Sequence, residues 1–315
     1  MIDQYGRDII YLRLSVTERC TLRCTYCRVE EGLCPKAEEL TAEDFSRIVR
    51  VFAELGIKKV RITGGEPLLR KDILDIIRRI AAVKGIEDIS MTTNAQRLPG
   101  NALALKQAGL RRLNISLDSL NAETFREMTG GELGLVLSGI DEAIEAGLLP
   151  VKVNMVVVQG VNDSEIDDFI ALTRDRPIDV RFIELMPIGD LGRNERRRIS
   201  NDALIQARPY LKPLPARYIG QPSTDYRVEG HVGRVGFISP ISHKFCANCN
   251  RIRLMSDGKL RPCLGVDSEI SLLEALQQGD DALLETIREV IFYKPVGHAF
   301  ESCSYSDRNM SRIGG

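Results

Sequence analysis

Residues 9–27 read Ile9-Ile10-Tyr11-Leu12-Arg13-Leu14-Ser15-Val16-Thr17-Glu18-Arg19-Cys20-Thr21-Leu22-Arg23-Cys24-Thr25-Tyr26-Cys27. The first half alternates. Leu12, Leu14 and Val16 share one parity and Arg13 and Ser15 the other, as in a strand with one apolar and one polar face. The second half is a C-x3-C-x2-C loop directly after that strand. Three thiolates can hold three irons of a 4Fe-4S cluster and leave the fourth iron open to a small molecule. A structural zinc site wants a fourth ligand, and the three histidines, His231, His243 and His298, are all remote in sequence.

Outward from this stretch, strand-like and helix-like segments alternate as far as Pro187. Strands are expected at 9–16, 59–63, 88–93, 112–117, 151–158 and 179–185, and helices at 42–55, 73–83, 102–108, 133–146 and 164–174. Thr41 before Asp44 and Ser164 before Asp167 look like N-caps, and Gly56, Gly85, Gly109 and Gly147 stand where left-handed C-caps belong. Such alternation predicts an α/β fold, a parallel sheet with right-handed crossovers that forms an open, partial (β/α)6 TIM-like barrel. Strand parity adds detail. Val60 and Ile62 oppose Arg61 and Thr63, Met91 opposes Thr92, Ile115 opposes Ser116, and Val153 opposes Lys152 and Asn154. If the apolar parity packs on helices, the polar parity lines a lumen. A lumen carrying Arg13, Arg61 and Lys152 suits a large anionic ligand. The alternative is an ordinary antiparallel sheet with one wet face, which the intervening helices disfavour.

After Pro187 the texture changes. A charged surface loop is expected at 190–198, prolines mark irregular chain at 209–222, strands are expected near 235–239, 252–255 and 259–261, and helices at 268–277 and 281–292. Two regions follow: a barrel over residues 1–190 and a smaller C-terminal α+β layer over 191–315, built around a second cysteine triad. That triad is Cys246, Cys249 and Cys263, again without an obvious fourth ligand. Asn250-Arg251-Ile252-Arg253-Leu254 follows its CxxC, so on a strand both guanidiniums share one face beside the cysteines; a solvated basic edge strand is the plainer alternative.

Composition sets outer limits. The chain has 315 residues, 43% of them hydrophobic, and a formal charge of −1, which gives no global pull towards nucleic acid or anionic membranes. No apolar run approaches the ~20 residues of a membrane span, and residues 1–7 hold no apolar signal region. A cytoplasmic protein is expected. Eight cysteines in such a chain point to metal or catalysis rather than disulfides; Cys34 and Cys303 lie outside both triads.

The first cysteine loop at a strand end, followed by Gly64-Gly65-Glu66-Pro67 after the second strand, resembles the radical S-adenosylmethionine superfamily. That resemblance implies an open iron that chelates S-adenosylmethionine, reductive cleavage to a 5′-deoxyadenosyl radical, and cofactor contacts from Tyr26, Gly65, Glu66, Thr93, Ser116 and Met186. Leu12 to Thr17, Arg61 to Leu68, Asn114 to Asp118, Arg181 to Pro187 and the second triad with its arginines are similar, almost end to end, to the GTP 3′,8-cyclase family of molybdenum cofactor biosynthesis. This likeness implies two 4Fe-4S clusters, with Cys20, Cys24, Cys27, Cys246, Cys249 and Cys263 as ligands. GTP would be bound by Arg13, Arg61, Thr92, Lys152, Arg251, Ile252 and Arg253, of which Arg13, Lys152, Arg251 and Arg253 would serve catalysis. It also implies a reductant such as ferredoxin or flavodoxin, a downstream cyclic pyranopterin monophosphate synthase, no nucleic acid and no membrane, and it allows a homodimer. The terminal Gly314-Gly315 resembles the family's double-glycine tail. Departures are Arg28-Val29 after the third cysteine, Ala95 where the family has glycine, and the absence of tryptophan. Two other readings stand beside this one: a radical S-adenosylmethionine maturase of a peptide or small molecule with an auxiliary cluster, and a non-catalytic iron–sulfur carrier or zinc-dependent nucleic-acid binder.

Overall fold

The structure is a computed structural model and describes residues 1–27, 39–300 and 310. Arg28-Val29, Cys34, Cys303 and Gly314-Gly315 lie outside the described residues. Six strands lie where expected: β1 (Tyr11–Ser15), β2 (Lys59–Thr63), β3 (Asp88–Thr93), β4 (Arg112–Ser116), β5 (Val151–Val157) and β6 (Ile178–Glu184). All neighbouring pairs among them are parallel. Between them run α1 (Ala42–Glu54), α2 (Ile73–Ala81), α3 (Ala102–Gln107), α4 (Ala122–Thr129), α5 (Leu133–Glu145) and α6 (Ile166–Ala171).

The local chemistry explains most boundaries. Thr41 and Asp44 form a reciprocal capping box at α1, a motif that contributes about 1 kcal/mol. Gly56, Gly85, Gly109 and Gly147 all adopt positive φ after their helices. Ser164 is not a cap. It sits within a 3-10 turn at Asp163–Glu165, and α6 starts only at Ile166 and ends at Ala171. Helix α4 had no counterpart among the expected elements; Asn121 starts it by accepting from the N–H groups of Glu123 and Thr124 at 3.0 Å each.

The C-terminal segment contains α7 (Gly189–Arg193), α8 (Asn201–Gln206), β7 (Lys212–Pro213), β8 (Ser223–Arg227), β9 (Val235–Ile238), β10 (Arg251–Leu254), β11 (Lys259–Arg261), β12 (Ile270–Ser271), α9 (Leu273–Gln278) and α10 (Asp280–Phe292). Three expectations change here: α7 falls in the expected loop, β7 in the expected irregular chain, and 268–277 holds a two-residue strand before its helix; α8 and β8 had no expected counterpart. These strands extend the barrel sheet at both edges. The order is β12-β11-β10-β1-β2-β3-β4-β5-β6-β9-β8-β7, with β10 parallel to β1 and β9 parallel to β6.

Side-chain parity sets the layers. Leu12, Leu14, Val60, Ile62, Met91, Leu113, Ile115, Val151, Val153 and Met155 are all 0% exposed and belong to one core cluster with the helices. The opposite parity is polar, and from β1, β2, β3, β4 and β5 it contributes Arg13, Arg61, Thr92, Ser116 and Asn154 to one cavity wall.

Candidate active site

The first cysteine loop leaves the C-terminal end of β1 and is held from two sides. Helix α4 grips its backbone: Arg23 N–H donates to the Thr129 carbonyl (2.8 Å) and Thr25 N–H to the Met128 carbonyl (2.9 Å). On the other side the glycine turn after β2 packs backbone against backbone, with Gly65 N–H donating to Thr17 O and Glu66 N–H to Arg19 O at 2.7 Å each. A Cβ on Gly65 would meet Arg19 O at 2.3 Å and Glu18 O at 2.5 Å, so only glycine fits there.

Glu66 itself is 0% exposed and stands behind the cavity wall. Its carboxylate accepts from Thr93 Oγ1 (2.8 Å), Asn94 N–H (2.7 Å) and Leu68 N–H (3.0 Å), which ties the turn to the end of β3; burial pushes its acid up. Asn94 Nδ2 then donates to Thr21 Oγ1 (3.0 Å) and approaches Cys20 Sγ at 3.6 Å. Ala95 follows at φ 59, a left-handed conformation that favours the family's glycine and costs alanine about 1 kcal/mol. The Ala95 N–H donates to Thr93 Oγ1 at 3.0 Å, which holds it there.

Tyr26 donates its hydroxyl to Asp118 Oδ2 at 2.6 Å, and Asp118 Oδ1 accepts from Val156 N–H at 3.0 Å. Burial raises Asp118 to about 6, against the pull of these two hydrogen bonds. Burial also raises Cys20 and, with the Asp118 carboxylate next, raises Cys24 strongly.

The second triad occupies the other end of the lumen. Cys246 and Cys249 precede β10, and β10 runs parallel to β1 with Arg253 opposite Arg13. Cys263 follows β11, which returns antiparallel to β10, so it joins them. The first triad follows the C-terminal end of β1, whereas the second stands at its N-terminal level. Five strand residues put about 13 Å between these levels.

Cations hold the second loop. Arg7 is 6% exposed; it pairs with Asp3 at 2.6 Å and donates to the carbonyls of Cys246 (3.1 Å), Lys294 (3.2 Å), Pro295 (2.7 Å) and Val296 (3.1 Å). Arg261 is fully buried and donates to Cys263 O at 3.0 Å, with Asp267 and Glu269 balancing its charge. Although burial works the other way, Lys294, Arg251 and Arg7 bring Cys249 below the usual thiol range.

Between the triads, Arg253, Arg13 and Arg61 stand in register on three adjacent strands. Burial, then Arg253 and Arg61, lowers Arg13 well below its ordinary value. Arg181 of β6, opposite Asn154, also faces the cavity, and burial with Arg61 next lowers it to about 10. Arg251 donates to Gly220 O at 2.6 Å and lies 5.2 Å from the Phe245 ring centre.

Comparison with known proteins agrees in both halves. The model described as Radical SAM superfamily matches residues 14–173, and that described as Molybdenum Cofactor Synthesis C matches residues 178–300. A curated relative from Alkaliphilus oremlandii (strain OhILAs), named GTP 3′,8-cyclase, is 49% identical over 100% of both chains. Another of that name, from Peptoclostridium acidaminophilum, is 47% identical over 100% of this chain and 98% of its own. The chain belongs to the GTP 3′,8-cyclase family. Among solved structures, Streptococcus suis SuiB bound to precursor peptide SuiA superposes with a TM-score of 0.61 at 17% identity, over 92% of this chain and 66% of that one. This likeness is one of fold alone, and the chain spans just under two thirds of the SuiB length.

Within this family's site, the cavity wall includes all six triad cysteines. It also includes Tyr26, Gly65, Thr93, Ser116 and Met186, and the substrate candidates Arg13, Arg61, Thr92, Arg251 and Arg253. Three candidates are not in the wall. Glu66 braces it from behind. Lys152 has the lumen parity and is 7% exposed, but lies deeper, among Arg181, Arg112 and Arg61. Ile252 is 0% exposed in the helix-facing core, because it alternates with Arg251 and Arg253 on β10. Sequence reasoning assigned no role to Asp118, Arg181, Lys294 or His298, all in the wall. The alternation of Arg181 with Val180 and Phe182 was the available signal for one of them.

Among the described residues no three His, Cys, Asp or Glu side chains converge as a single-ion site requires. Three thiols on three corners of a 4Fe-4S cube need no such convergence, so the donor sets fit clusters.

Proposed function

We propose that the chain converts GTP to 3′,8-cyclo-7,8-dihydro-GTP in molybdenum cofactor biosynthesis. The single observation that carries this is the row Arg253–Arg13–Arg61 between two cysteine triads at opposite ends of one lumen. Guanidiniums on three adjacent strands of one wall suit a triphosphate, whose oxygens accept their charge-assisted hydrogen bonds. Thr92 Oγ1 and Asn154 Oδ1, buried in the same wall, lack hydrogen-bond partners among the described residues, which suits a polar ligand.

Bound at the first triad, the cluster and S-adenosylmethionine would supply the 5′-deoxyadenosyl radical that removes hydrogen from ribose C3′. The chain's own residues bind and orient. Tyr26, Gly65, Thr93, Ser116 and Met186 line the S-adenosylmethionine end; Arg13, Arg61, Arg251 and Arg253 hold GTP towards the second triad, with Thr92 and Lys152 beside them. Ile252, with its side chain in the helix-facing core, has no part in this set. The functional division proposed is 1–190 for the radical barrel and 191–315 for the segment that brings the second triad. A ferredoxin or flavodoxin reductant, hand-over to cyclic pyranopterin monophosphate synthase, a cytoplasmic location and a homodimer belong to the same reading; no helix among the described residues is long and apolar enough to cross a membrane.

Anaerobic incubation of the reconstituted protein with GTP, S-adenosylmethionine and dithionite tests it. The expected products are 5′-deoxyadenosine and the cyclised nucleotide. Consumption of S-adenosylmethionine with GTP left unchanged would overturn the cyclase reading and favour the peptide or small-molecule maturase.

A further inference from the structure

Lys294 stands at the end of α10, distant in sequence from both triads, and is 2% exposed. Its ammonium donates to Pro262 O at 2.5 Å, the residue before Cys263. Its backbone carbonyl accepts from Arg7, the side chain that also holds Cys246 O. Lys294 is therefore fixed at both ends to the loops that carry the second triad, and it lines the cavity beside Cys246, Cys249 and Cys263.

No carboxylate pairs with it among the described residues; its polar neighbours there are the thiols of Cys249 and Cys263 and the guanidiniums of Arg7 and Arg253. Arg261, buried on β11, contrasts with it because Asp267 and Glu269 neutralise that guanidinium. A buried ammonium without an acid is expensive. A 4Fe-4S core held by three thiolates is a net anion and becomes more negative on taking up an electron, so a fixed cation beside it stabilises the reduced form most.

We propose that Lys294 is the counter-cation of the second cluster and raises its reduction potential. It is a positioning and tuning residue that acts through the cysteines rather than on substrate. The inference rests on the second triad holding a cluster, and the experiment separates the two.

The test uses the full chain with Cys20, Cys24 and Cys27 changed to Ala, so that only the second cluster contributes. Iron and sulfide are counted, and a dithionite titration with mediators is followed by electron paramagnetic resonance. Lys294→Gln is expected to shift the midpoint to more negative values, and Lys294→Arg to keep it. Should Lys294→Gln fail to load iron while Lys294→Arg loads at the parent potential, the charge requirement again stands. A fully loaded Lys294→Gln cluster at the parent potential overturns the proposal. So does loss of iron from both variants, which would make side-chain shape the requirement. An iron-free parent would instead remove the cluster reading, and this inference with it.

Discussion

The two cysteine triads look alike in sequence and lie in opposite electrostatic surroundings. Around Cys20 and Cys24 the buried charged neighbours are Glu66 and Asp118, and burial first, with these carboxylates behind it, pushes both thiols up. Around Cys249 they are Lys294, Arg251 and Arg7, and the thiol is brought down. An anionic environment suits a ligand that brings its own positive charge, as the sulfonium and amino group of S-adenosylmethionine do. A cationic one suits a polyanion. The difference accords with the proposal that S-adenosylmethionine takes the first end of the lumen and GTP the second.

The strongest way to break this comparison is to remove one triad at a time. Cys24→Ser is expected to abolish 5′-deoxyadenosine formation altogether. Cys249→Ser should leave S-adenosylmethionine cleavage measurable while the cyclised nucleotide disappears; loss of both products in both variants would show that the ends are not separable. Next, Arg253→Ala should weaken GTP binding roughly 30-fold, about 2 kcal/mol for a charge-assisted contact, with S-adenosylmethionine affinity unchanged by calorimetry.

Lys152 gives a pH-dependent test. Burial, then Arg181, Arg112 and Arg61, lowers its ammonium to about 6, so it is neutral in the ligand-free protein at pH 7.5. A bound polyphosphate favours the charged form. GTP binding at that pH should take up close to one proton, read from titrations in buffers of different ionisation enthalpy, and Lys152→Met should remove the uptake. The sign for folding follows from the same shift. Between pH 6 and about 10 the unfolded chain binds a proton that the folded chain does not, so this group makes the ligand-free protein more stable as pH rises. The smallest effect is expected from Tyr26→Phe, which deletes the 2.6 Å donor to Asp118. S-adenosylmethionine should bind about fivefold more weakly, near 1 kcal/mol, and GTP as before.

Much of this was legible in the sequence, for identifiable reasons. Strand alternation is a period-two property of the chain itself, so Leu12 and Leu14 could be sent to the core and Arg13 to the lumen before any fold was known. The same rule applied to β10 excludes Ile252 from the wall, a consequence that motif similarity obscured. Helix α4 was missed because eight residues carry few apolar positions, Phe125 and Met128 among them. Its carbonyl grip on Arg23 and Thr25 shows that a short element can matter more to the site than a long one.

By itself the sequence determined the two triads, the polar lumen, the parallel barrel and the positions of its six helix-linked strands, because cysteine spacing and residue periodicity are local. Only the tertiary structure decided that β10 lies parallel to β1, which puts the triads that follow β1 and precede β10 at opposite ends. It alone brought Asp118 to Tyr26 across 92 residues, Arg7 to Cys246 across 239, and Lys294 to Pro262 across 32. Those partners are chosen by which strands pair and which loops meet, and no local pattern encodes that choice.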